Sequence, residues 1–231
     1  MTVAVPRFST DAGVRSRISR WHRMLRFFGE GDRLYELLER QAALVHDGAA
    51  TFLSFATGAA SMFELQPAAD GIEAEEERVS TEIETALARA LLARIDREDM
   101  HELSSRLHTS LSFSIYSLRS NVTLSGDEPA EAMSDLARTV VDCTALIAQS
   151  IRRLRHGEYG AVPELAREIR SLHRGGIEMH DAGLSSLLRH DGTGGGHELV
   201  RTTFALDAVE GTLRQCGRIG SLLAYLAVKH G

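Results

Sequence analysis

Ile95-Asp96-Arg97-Glu98-Asp99-Met100-His101-Glu102-Leu103 is the stretch whose reading decides the fold. Asp96 stands where a helix N-cap belongs, with an acid at the third helical position, Asp99, and an apolar run beginning at Met100. That arrangement ends one helix and opens another, because a short carboxylate can accept the backbone N–H groups that a first helical turn leaves unpaired. Upstream, Val79, Ile83, Leu87, Leu91 and Ile95 form one stripe at helical spacing, and downstream Leu103, Leu107, Leu111, Ile115, Leu118 and Val122 form another. Both stripes have the period of an amphipathic helix and not the alternation of a strand.

Working outward, the helix before Asp96 begins near Ile72, with glutamates crowding its first turns where the helix dipole favours negative charge. Gln66-Pro67-Ala68-Ala69-Asp70-Gly71 reads as a connector. It closes a long first helix in which Leu34, Leu37, Leu38, Leu44, Val45, Phe52 and Phe55 recur on one face. Downstream, Ser125-Gly126-Asp127-Glu128-Pro129 combines a turn glycine, a capping aspartate and a proline suited to a first helical turn. The second half repeats the plan with helices over 129–154, 162–188 and 198–229, the last two separated by the glycine-rich run 192–196. Three long helices, a turn and three more predict an all-α chain of two tandem three-helix bundles of antiparallel helices, over 29–125 and 126–231.

Composition agrees with that class. Aromatics make up 6% of the 231 residues and only four prolines occur, which favours helix over a sandwich or barrel. Cys143 and Cys216 stand alone, with no CxxC to suggest zinc, and point to a reducing compartment. A formal net charge of −6 argues against a general nucleic-acid binder. Lys229 is the single lysine, so every other positive side chain is an arginine. No apolar run approaches the roughly 20 residues that span a bilayer. Residues 1–28 differ in character: Arg7, Arg15, Arg17, Arg20, Arg23 and Arg26 are opposed only by Asp11. We read this segment as a basic, partly ordered N-terminal arm, with peripheral contact to anionic lipid at the inner face of the cell membrane as an alternative.

Three segments carry a family resemblance. Residues 27–42 run Phe27-Phe28-Gly29-Glu30-Gly31-Asp32 into Leu37-Leu38-Glu39-Arg40-Gln41-Ala42, residues 95–103 are the stretch quoted above, and the last helix passes Val209-Glu210 and Cys216 to Lys229. In these the chain resembles the PhoU-like phosphate transport regulators, often called Pit accessory proteins. The resemblance implies two three-helix bundles, a cytoplasmic location, a homo-oligomer, and modulation of phosphate uptake through contact with a membrane phosphate permease or a signalling protein.

The resemblance also implies acidic pairs on the inner helices that bind iron or another divalent metal. Carboxylates four residues apart share a helix face, and two such helices can enclose a hard cation in oxygen. Carried over residue by residue, Glu73 and Glu77 keep the pair on the second helix, while the matching positions on the third are His108 and Ser112. Glu73, Glu77 and His108 are thus the candidate ligands for one divalent ion, Fe, Zn or Mn. In the second half the matching positions hold His173, Ile177, Glu210 and Arg214, and an arginine at a ligand position opposes a cation. The alternative reading of Glu73, Glu75, Glu76 and Glu77 is a solvated helix start.

Other constellations point to no chemistry. His101 and His108, like His173 and His180, are seven residues apart, but no HExxH occurs. The run 192–196 lacks the Lys-Ser/Thr of a P-loop and follows a helix. No GxSxG holds any of the serines, and Ser110, Ser114 and Ser117 read as small residues that let helices approach. The expectation is a regulatory or accessory protein and not an enzyme; the alternative is a metal-binding helical bundle with no transport role.

Overall fold

A computed structural model describes residues 11–89, 96–123, 131–189 and 196–231 of the chain. Among the described residues there is no strand; the elements are α1 (Asp11–Ala56), α2 (Met62–Arg89), α3 (Arg97–Thr123), α4 (Glu131–Arg155), α5 (Val162–Arg189) and α6 (Gly196–His230), with one 3-10 turn at Tyr159–Ala161 before α5. The expected all-α, six-helix architecture is the one observed. The turn at 125–129, the glycine-rich run up to Gly195, and Leu91 and Ile95 lie outside the described residues.

Each half packs its three helices together, α1 with α2 and α3, and α4 with α5 and α6. The halves are then joined by α1 against α4, and α3 against α6. Helices α1, α3, α6 and α4 therefore form a central four-helix square, with α2 flanking one side and α5 the other. The apolar stripes explain this: Leu38, Val45 and Phe52 of α1, Leu107 and Ile115 of α3, Val140 and Ile147 of α4, and Leu213 and Leu223 of α6 are all buried in one continuous core. Burial of such stripes supplies most of the stability of an amphipathic helix. Ser110, Ser114 and Ser117 are buried in α3, and the latter two return their hydroxyls to their own helix, Ser114 to the Ser110 carbonyl at 3.2 Å and Ser117 to that of Phe113 at 2.8 Å. They act as small spacers.

Polar contacts mark the seams. Arg155 of α4 reaches three acids of α1: Asp32 at 2.8 Å, Glu36 at 2.7 Å and Glu39 at 3.5 Å. Lys229 near the end of α6 meets Asp99 at 2.6 Å and Asp96 at 3.4 Å. Asp96 caps α3 as expected, its Oδ1 accepting the Glu98 N–H at 3.2 Å. The Asp99 carboxylate is taken by Lys229 instead of completing a capping box.

One expectation is corrected. The first helix does not extend to Pro67; it stops at Ala56, and 66–71 is helical within α2. The break is made by Gly58, whose φ of 68° suits a residue without Cβ. Its N–H reaches the Phe55 carbonyl and the next N–H, of Ala59, reaches that of Ser54, both at 2.9 Å, the paired bonds of a glycine-terminated helix. Ser61 then caps α2: Glu64 Oε2 accepts from the Ser61 N–H at 2.8 Å, while the Glu64 N–H points back at Ser61 Oγ at 3.4 Å. Pro67 is tolerated in the second turn because it forfeits one backbone bond, to the carbonyl of solvent-exposed Phe63. In the basic stretch 1–28, the residues from Asp11 onward are helical and continue into α1, with no proline between Pro6 and Pro67 to interrupt them. Residues 1–10 lie outside the described part.

Candidate functional site

Helices α2 and α3 leave between them a cleft of about 460 Å³ lined by Asp70, Glu73, Glu76, Glu77, His108 and Ser112 among others. Helical spacing puts Glu73 and Glu77 on the face of α2 that looks towards His108, so all three expected ligands line the same cleft. They do not act together. Glu73 is held by Arg119 of α3, whose Nη1 lies 3.1 Å from Oε1 and whose Nη2 approaches Oε2, and the same Nη2 meets Asp70 at 2.7 Å. Glu77 is exposed, and its carboxylate meets no described side chain. His108 turns to a different acid, with Nδ1 2.7 Å from Oε2 of Glu76.

Glu76 is the acid at the centre of the arrangement. It is 3% exposed, and its Oε1 accepts from Gln41 Nε2 of α1 at 2.8 Å and from Ser80 Oγ at 2.6 Å. Gln41 Nε2 also points at the Ser104 carbonyl of α3 at 3.3 Å, while its own Oε1 is buried without a partner among the described residues. A carboxylate can be kept in such a place only when its lone pairs are met by donors. The network joins all three helices of the first half. Its signal was present in the sequence: Glu76 is in phase with Val79, Ile83 and Leu87, and Gln41 with Leu34, Leu38 and Val45, so both belong to the buried stripes.

A divalent ion does not fit this cleft as it stands. The guanidinium of Arg119 already answers Glu73 and Asp70, and Glu76 is satisfied by an amide, a hydroxyl and an imidazole. Among the described residues no group of three or more His, Cys, Asp and Glu side chains is disposed to hold a metal.

The second half differs at each corresponding position. Glu210 accepts from Arg214 one turn on, Nε at 3.1 Å. His173 sits against Gly217 of α6 so closely that a Cβ there would lie 2.9 Å from its ring, and its Nε2 is buried with no partner. Burial depresses its pKa below the ordinary imidazole value, aided by Arg214 and Arg174 and opposed by Glu210. His180, seven residues on, is engaged elsewhere, with Nε2 3.1 Å from Asp207 and Nδ1 3.2 Å from Asp181.

No protein-family model matches the chain, and no curated protein matches it. Solved structures do. A PhoU-like phosphate regulatory protein from Shewanella oneidensis MR-1 superposes with a TM-score of 0.65 at 13% identity, over 85% of this chain and 99% of that one. A PhoU-like protein from the same organism gives a TM-score of 0.65 at 13% identity, over 84% of this chain and 96% of its own. The fold is therefore PhoU-like, carried by a sequence far diverged from theirs.

Proposed function

We propose that this chain is a PhoU-like regulatory or accessory protein that modulates a Pit-type inorganic phosphate transporter through protein–protein contact. The observation that carries the reading is the likeness in fold to a PhoU-like phosphate regulatory protein over 85% of this chain and 99% of that one. In this reading the protein works by docking and not by catalysis, as a homo-oligomer at the cytoplasmic face of the membrane, its partner being the permease or a signalling protein. No described helix is long and apolar enough to cross a membrane. Metal binding is left out of the reading, because Arg119 and Gln41 already serve the acids of the α2–α3 cleft.

Two measurements test it together. The tagged protein should recover its cognate phosphate permease from detergent-solubilised membranes, and deletion of its gene should change phosphate uptake. Unchanged uptake with no permease recovered would overturn the reading.

A further inference from the structure

Helices α3, α5 and α6 line a second, open cleft of about 660 Å³ with the opposite character. Five arginines line it: Arg106 from α3, Arg170 and Arg174 from α5, and Arg214 and Arg218 from α6, with His173 beside them. Glu102 is the one carboxylate in the lining, and it is paired with Arg106. Arg214 is paired with Glu210. Arg170, Arg174 and Arg218 have no hydrogen bond or ion pair with any described residue.

This concentration is out of keeping with the rest of the chain. The protein carries a net charge of −6, and although Arg89, Arg97, Arg138 and Arg152 also lack an acidic partner among the described residues, they do not gather in one cleft as these five do. Arg170 and Arg174, like Arg214 and Arg218, are four residues apart on one helix, a spacing at which like charges repel. Unneutralised cations gathered in a concave site focus the local potential and draw in an anion. His173 adds a buried nitrogen without a partner among the described residues. The guanidinium fork matches the oxygens of a phosphoryl group and offers it paired N–H donors. Three unmatched guanidinium groups call for more than one negative charge, and the volume is in the range of small-molecule sites, larger than one tetrahedral anion fills.

We propose that this cleft binds a small multivalent phosphoryl anion, one bearing two or more phosphate groups, through Arg170, Arg174 and Arg218. The proposal stands apart from the transporter reading: it concerns the purified protein alone and survives if no permease is recovered.

The test is calorimetric titration of the full chain with tripolyphosphate at constant ionic strength, beside three other probes: orthophosphate, poly-L-glutamate and phosphatidylglycerol vesicles. Tripolyphosphate is expected to bind at least tenfold more tightly than orthophosphate. R170Q/R174Q should weaken it at least tenfold, whereas R138Q/R152Q, the same charge change at exposed positions of α4, should stay within twofold of wild type. If R170Q/R174Q does not keep the wild-type helical circular dichroism, R218Q alone is read instead, with a loss of at least threefold expected. The proposal is overturned by no heat with tripolyphosphate, or by an equal loss in R138Q/R152Q. Equally tight binding of poly-L-glutamate would also sink it and assign the cleft to an acidic protein segment. Binding to vesicles alone, lost in R170Q/R174Q, would sink it in favour of a membrane surface.

Discussion

Nδ1 of His108 lies 2.7 Å from Oε2 of Glu76, so an imidazole whose side chain is 56% exposed is the solvent-facing partner of a carboxylate that is 3% exposed. Beneath it Gln41 and Ser80 hold the other carboxylate oxygen. Removing the acid leaves the buried Gln41 amide with only weaker contacts to the Ser104 carbonyl and Ser80 and takes the acceptor from the part-buried Ser80 hydroxyl, and each buried group left unpaired costs about 1–3 kcal/mol. Glu76→Ala is therefore expected to destabilise the fold by roughly 2–4 kcal/mol in urea unfolding. Glu76→Gln, which keeps the shape and one acceptor, should cost less than half as much. Equal stability of wild type and Glu76→Ala would show that the network contributes nothing.

Arg119 holds the position that a cation would take between Glu73 and Asp70. Arg119→Ala releases two carboxylates on one face of α2 into a cleft they share with Glu77. Millimolar Mn²⁺ should accordingly raise the melting temperature of Arg119→Ala more than that of the wild-type protein. The same rise in both proteins would mean that Arg119 is not what excludes the ion.

His173 carries a pH dependence of known sign. Its pKa is depressed in the folded protein from the ordinary value of 6.5, chiefly by burial. The unfolded chain therefore binds the proton more tightly, and the stabilising contribution of neutral His173 is complete above about 6.5 and is lost as pH falls from there towards its folded pKa. Unfolding free energies measured from pH 7.5 down to 5 should fall more steeply for wild type than for His173→Gln. Parallel curves would contradict the assignment.

Two helical glycines should respond oppositely to a methyl group. At Gly71, exposed in α2, nothing lies within 4 Å of an added Cβ, so Gly71→Ala should stabilise by up to about 1 kcal/mol through helix propensity alone. At Gly220 in α6 the added Cβ would lie 2.9 Å from Cγ2 and 3.2 Å from Cβ of Ile169, a β-branched residue with little rotamer freedom in a helix. Gly220→Ala should cost about 1–3 kcal/mol as α5 and α6 are forced apart. Thermal or urea unfolding of the two variants distinguishes them.

Cys143 and Cys216 are both fully buried, and the neighbouring Cys216 together with burial pushes the Cys143 thiol well above its usual range. Burial keeps both sulfurs from the reagent, and the Cys143 thiolate is further disfavoured, so neither should be alkylated at neutral pH until the protein opens. Labelling with iodoacetamide followed by mass spectrometry should find both free in native protein and both modified in urea. Rapid native labelling of Cys143 would place it nearer solvent than this packing allows.

The sequence alone determined what depends on local spacing. The apolar stripes placed the long helices of the described residues, Asp96 opened α3, and Ser110, Ser114 and Ser117 were readable as spacers, because a side chain's place on its own helix follows from position and period. The break at Gly58 was also readable, since a turn glycine followed by Ser61-x-x-Glu64 is a stop and a start, but Pro67 is the louder signal and drew the boundary wrongly. Only the tertiary structure decided which partners meet. Glu73, Glu76 and Glu77 are alike as letters, yet the rotation of α2 against α1 and α3 buries Glu76, gives Glu73 to Arg119 and leaves Glu77 in water. In the same way Arg106, Arg170, Arg174, Arg214 and Arg218, spread over 113 positions of chain, become one basic cleft only when α3, α5 and α6 pack side by side. Periodicity fixes which face of a helix is apolar, but the axial shift and rotation that choose its neighbours arise from packing between helices.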